Sequence, residues 1–149
     1  MSQKRAAVLV VNPSRAEAVE AATVLASLLQ KADFDLFTIS DVSISGVTNS
    51  AAENLPEIEI AVVLGGDGTI LRGAELTRER NIPLLGINIG HVGFMAEVIR
   101  PEISAVAKSV IDKSYGLDSR MVLAYEVIRS GKIVNSGWAL NEVTVERQH

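Results

Sequence analysis

No cysteine occurs anywhere in the 149 residues. That excludes a disulfide scaffold, thiol catalysis and thiolate metal sites, and it is compatible with a reducing compartment. An excess of positive charge is missing too. Fourteen Lys and Arg stand against 18 Asp and Glu, a net charge of −4. No global attraction to nucleic acid or to an anionic membrane follows from that balance. Long hydrophobic runs are also lacking. The longest near the start, residues 6–11, is far too short to span a bilayer. It does not carry the cleavage pattern of a secretory signal. There is no internal repeat and no low-complexity linker. The expectation from these absences is a cytoplasmic protein with neither a nucleic-acid nor a membrane partner.

What is present is ordinary globular material. With 48% hydrophobic and 21% charged residues, the chain has enough apolar surface to offset its conformational entropy. Residues 6–11 form an apolar β-prone run ended by Asn12-Pro13, and read as a strand buried on both faces. Ser14, with Glu17 three residues later, has the spacing of a capping box. The helix it would open carries Val19, Ala22, Leu25, Ala26 and Leu29 at helical spacing and ends near Lys31. Residues 34–39 read as a second strand, and 40–54 as a loop with a short helix around 50–54. Residues 58–64 are another apolar strand. A helix with Ile70, Leu71, Ala74 and Leu76 continues to about Arg80. Residues 83–87 are a fourth strand, and Pro101 opens a helix through about Lys113 with Ile103, Val106, Val110 and Ile111 on one side.

Alternating strands and helices predict an α/β fold, with a parallel sheet covered on its faces in three layers. From Asp118 the pattern turns β. Residues 121–129 and 132–145 predict a hairpin about Ser130-Gly131-Lys132, and Trp138 reads as core packing. The expected organisation is an α/β N-terminal domain over 1–117, with glycine-rich loops. Residues 118–149 are expected to hold the first β-strands of an all-β second domain that is cut short.

The most informative segment is Gly65-Gly66-Asp67-Gly68-Thr69, where a buried strand ends and a helix begins. The free N–H groups of a helix start favour anions. Three glycines within four residues are expected to let the backbone take positive φ and a ligand come close. The segment therefore predicts a phosphate or ribose-phosphate site. It is not the dinucleotide fingerprint, because Leu71 stands where the last glycine belongs. It is not a P-loop either, because Ala74 stands where lysine must be. Asp67 is the candidate catalytic group, either holding an attacking hydroxyl in line and taking its proton late, or helping to hold Mg²⁺.

Three motifs occur in order: the glycine loop, residues 86–97 with the core Gly90-His91-Val92-Gly93-Phe94, and Asn141-Glu142 behind Gly137-Trp138-Ala139-Leu140. Together they resemble the NAD kinase family over nearly the whole chain. The glycine motif alone is less specific, since lipid kinases and phosphofructokinases carry similar ones. The resemblance implies Mg²⁺-dependent transfer of the terminal phosphoryl group of ATP, or of polyphosphate, to the 2′-hydroxyl of the adenosine ribose of NAD, giving NADP. It implies Asp67 as proton acceptor, Gly68 as a backbone contact to the dinucleotide, and Gly65, Gly66 and Thr69 as shaping the loop. It further implies Arg72 at the ligand phosphates, Phe94 on the adenine, and Asn141 and Glu142 on the nucleosides. Metal ligands are unassigned. Read without the family, Arg72 is a solvated helix-face cation, Phe94 a core aromatic and Asn141-Glu142 the polar face of a strand. His91 stays outside the catalytic set. Family members are about twice as long, so the chain is expected to show little activity alone, and the whole enzyme to be a homo-oligomer acting on small nucleotides. The competing readings are a diacylglycerol- or sphingosine-type lipid kinase and a non-catalytic nucleotide-binding module.

Overall fold

The computed structural model describes residues 3–89, 98–99, 102–140 and 143–147. Strand β1 (Ala6–Val11) is buried along its whole length, and so is β4 (Ile60–Gly65). That is what unbroken apolar runs without polar alternation require. Between them lie helix α1 (Ala16–Lys31) and strands β2 (Asp35–Thr38) and β3 (Val47–Asn49). After β4 come helix α2 (Asp67–Arg78), strand β5 (Leu84–Asn88), the two-residue strand β6 (Val98–Ile99) and helix α3 (Ile103–Asp112). The six strands form one sheet in the order β3-β2-β1-β4-β5-β6, and every pairing is parallel. The chain builds outward from β1 to β3, then returns to the other side of β1 with β4. The strand order therefore switches between β1 and β4, the place where open α/β sheets hold ligands beyond the strand ends.

Strand alternation sorts the core into two layers. Leu9, Val11, Val62, Leu64 and Ile87 pack with Ala22, Leu25 and Leu29 of α1 and with Val106 and Val110 of α3. On the opposite face Val8, Val10, Ala61 and Val63 pack with Ile70 and Leu76 of α2. This is the three-layer α/β arrangement the element order predicts.

Local expectations fare unevenly. The capping box at Ser14 does not form. Arg15 occupies the N-cap position without a side-chain cap, and the Ser14 N–H donates instead to Asn12 Oδ1 at 3.0 Å. Asn12 thus makes a turn of its own and takes the group that the box would have used. The short helix in the 40–54 segment exists as a 3-10 turn at Ala52–Asn54, but β3 within that segment was not expected.

The chain divides into two compact units, Met1–Gly116 and Leu117–His149. In the second, β7 (Leu123–Arg129) and β8 (Lys132–Ala139) form an antiparallel hairpin. Ser130 and Gly131 both have positive φ at its turn, the geometry that matches strand twist. β8 stops at Ala139, short of the expected 145, and Val143 and Val145 lie outside any strand. Trp138 is half-buried rather than in a core.

Candidate active site

β4 runs without interruption into the glycine segment. Gly65 is its last residue, Gly66 is the N-cap of α2, and Asp67 is the first helical residue. The cap has no side chain, so it makes no side-chain hydrogen bond to the first turn. The start of a helix, with its dipole, favours an anion there.

The three glycines do different jobs, and none takes positive φ. Among the described residues, only Gly46 and Gly131 are glycines in that region. At Gly65 a methyl group would lie 2.5 Å from Thr69 Oγ1, so the glycine is there for close approach of the first turn of α2. At Gly66 and Gly68 an added methyl would meet nothing within 4 Å. Those two positions open onto space, and a ligand can reach the backbone there. Gly73, one turn further on, is pressed against Val63, where a methyl would lie 2.5 Å from Cγ2. It serves helix–sheet packing.

Asp67 is half-buried between the two open glycines, and Thr69 is buried beneath the turn. Arg72 is exposed on α2, four residues after Gly68 and therefore on the same helix face. The structure so brings together Gly65, Gly66, Asp67, Gly68, Thr69 and Arg72. Phe94, Asn141, Glu142 and His91 lie outside the described residues.

Further polar groups lie at the same edge of the sheet. Asn12, at the end of β1, donates its N–H to the Leu64 carbonyl at 3.1 Å. Arg15 reaches across to the Ile89 carbonyl at 3.5 Å. Asn88, the last residue of β5, pairs in register with Gly65. A polar residue directly after an apolar strand is the one sequence signal that marks Asn88.

The perturbed titratable groups sit at the other edge. Hydrogen bonds from the Arg5 guanidinium hold the Glu59 carboxyl below its usual range, against the opposing effect of burial. Burial pushes the Tyr115 phenol up, helped by the Glu59 charge. A hollow of about 340 Å³ also lies at that edge, lined by Leu55, Pro56, Glu57, Ile58, Arg80 and Ile82. Its arginine is committed to the carbonyls of Ala52, Leu55 and Pro56. Among the described residues no group of three or more His, Asp or Glu side chains is placed to hold a metal ion. No described helix is long and apolar enough to cross a membrane.

With the geometry in view, comparison with known proteins is informative. Residues 7–115 match the family model of the ATP-NAD kinase N-terminal domain. The chain is 34% identical to NAD kinase 2 of Streptomyces coelicolor over 151 aligned positions, covering 96% of this chain and 50% of that protein. It is 49% identical to the NAD kinase of Mycobacterium bovis over 89 positions, which cover 60% of this chain and 29% of that one. Against the NAD kinase of Rhodococcus erythropolis it is 32% identical, covering 98% and 52%. It thus spans about half the length of curated relatives that it matches end to end. Among solved structures, yeast NADH kinase complexed with NADH has the same fold, with a TM-score of 0.74 at 18% identity over 94% of this chain and 48% of that one.

Proposed function

The chain belongs to the ATP-NAD kinase family, and from that premise we propose that it forms the phosphate-binding and proton-accepting part of an NAD kinase. The observation that carries this reading is the junction of β4 and α2. A buried strand beside the switch point ends in a turn whose Gly66 and Gly68 open onto space, with a carboxylate between them.

In the proposed reaction the 2′-oxygen of the adenosine ribose of NAD forms a bond to the terminal phosphorus of ATP or polyphosphate. The bond from that phosphorus to the leaving phosphate oxygen breaks, and the 2′-hydroxyl proton passes to Asp67. A carboxylate is a weak base, but a loose phosphoryl-transfer transition state asks chiefly for alignment and charge stabilisation. The first-turn N–H groups of α2 and the Arg72 guanidinium would supply positive potential to the phosphates. Mg²⁺ is proposed to be carried by the phosphates, with its protein ligands unassigned. When bound, that ion neutralises phosphate charge.

Phe94 is proposed to stack on the adenine, and Asn141 and Glu142 to bind the nucleosides. Residues 118–149 are proposed to begin a β-rich second domain. A cytoplasmic homo-oligomer acting on small nucleotides is the setting this implies. The test is NADP formation from NAD, ATP and Mg²⁺, assayed with this chain and with the protein expressed from its natural gene. The proposal expects turnover from the latter, abolished by Asp67→Ala. Folded protein that binds nucleotide but never forms NADP contradicts it and favours a binding module.

A further inference from the structure

Asn88 is 1% exposed, and neither its Oδ1 nor its Nδ2 has a hydrogen-bond partner among the described residues. Native proteins keep few such groups, because an unpaired buried amide is worse than an apolar side chain of the same shape. The rest of this edge obeys that rule. Thr38 and Ser40, as deeply buried, are paired: the Thr38 hydroxyl donates to the Leu9 carbonyl at 2.7 Å, and Ser40 Oγ accepts from the Val11 N–H at 2.9 Å. Among the described residues, the unpaired state is therefore a property of one position.

That position adjoins the glycine turn. Leu85 and Ile87 of β5 pack in the α1–α3 layer, whereas Leu84 packs in the α2 layer. Alternation sends Asn88 to the α2 side with Leu84. Its register partner on β4 is Gly65, whose missing side chain leaves room that Thr69 of the first turn of α2 fills. The amide of Asn88 thus stands one strand over from the turn that opens α2, where a helix start favours an anion.

We propose that Asn88 is a positioning residue for this turn, its amide gaining partners when a nucleotide phosphate binds there, so that ligand binding rather than folding satisfies it. The inference rests on reading the turn as a nucleotide-phosphate site. An amide suits the role because it offers donors toward phosphate oxygens and an acceptor toward backbone N–H groups. A leucine, branched alike but larger, offers neither.

The test uses the protein expressed from its natural gene, with ATP and NAD as probes. Asn88→Leu removes the unpaired polar atoms, and Asn88→Ser is the second variant should leucine not fold. The expected result for leucine is an unchanged or higher melting temperature without ligand. Affinity for ATP is expected to be about three- to tenfold weaker in each folded variant, the worth of roughly one hydrogen bond. In wild-type protein the Asn88 side-chain amide resonances are expected to move on saturation with ATP. Affinities within twofold of wild type, or amide resonances that stay put, overturn the proposal. Wild-type protein that binds neither nucleotide contradicts the phosphate-site reading, and the role of Asn88 falls with it.

Discussion

The two ends of the parallel sheet are built on opposite principles. At the N-terminal end, the Arg5 guanidinium is spent on the fold. It donates to both carboxylate oxygens of Glu59, to the carbonyls of Val110 and Ile111, and lies 4.4 Å from the Phe34 ring centroid. One side chain ties the starts of β1 and β4 to the end of α3. At the C-terminal end, β4 passes into a turn with no capping side chain, two glycines that open onto space and an amide with no partner among the described residues. Polar groups at the first end stabilise the fold. At the second, the Asn88 amide lacks a partner among the described residues, and the parallel strands place it beside the switch point. The difference teaches where to look for chemistry: not at the strongest interactions, and not at the hollow beside Arg80, but where hydrogen-bonding groups go unused.

The largest expected effect comes from the open end. Asp67→Asn keeps the shape and removes the base, so kcat for NADP formation is expected to fall about 10²- to 10⁴-fold. Nucleotide affinity, measured by calorimetry, is expected to stay within about threefold, as for a group acting mainly in the transition state. Next is Gly65→Ala. The new methyl would lie 2.5 Å from Thr69 Oγ1, and overpacking of that kind costs about 1–3 kcal/mol. Urea denaturation measures it.

The closed end gives a smaller effect with its own signature. Glu59→Gln is expected to cost about 1–2 kcal/mol, since both side chains of the pair are largely shielded, at 30% and 20% exposure. The Glu59 pKa is lowered on folding, chiefly by hydrogen bonds from Arg5. Its contribution is therefore whole above the ordinary carboxylate range, near about pH 4.3, and is lost as pH falls through the depressed folded value. Urea denaturation below about pH 4 is expected to show that loss in wild type and a flatter profile in the variant. The smallest change in stability is at Gly68. Nothing lies within 4 Å of an added methyl there, and alanine favours a helix by up to about 1 kcal/mol over glycine. Gly68→Ala is expected to raise the melting temperature slightly while weakening nucleotide binding, which separates the needs of the site from those of the fold.

The sequence carried much of this comparison, unevenly. β1 and β4 were legible because strands buried on both faces must be apolar throughout. β3 and β6 were not, because they are three and two residues long. In β3 the strand Val47–Asn49 buries none of its residues fully, so it leaves no apolar pattern. The glycine turn was legible as a place, but its mechanism was misread in part. Positive φ was expected and none of the three takes it; Gly65 serves close packing, while Gly66 and Gly68 leave the room for a ligand that was also expected. Asn88 was illegible as a site residue, since its unpaired state depends on register against Gly65 and on α2 packing over that pair. Arg5 and Glu59 are 54 residues apart in the chain, and no local pattern links them.

The central claim is that the open end, and not the closed one, receives the nucleotide. NMR titration of the protein expressed from its natural gene with ATP, read at backbone amides, tests it most directly. The account predicts saturable shifts concentrated at residues 65–72, with Arg5, Glu59 and the hollow beside Arg80 unmoved. Saturable shifts at that hollow, or none at residues 65–72, would contradict it.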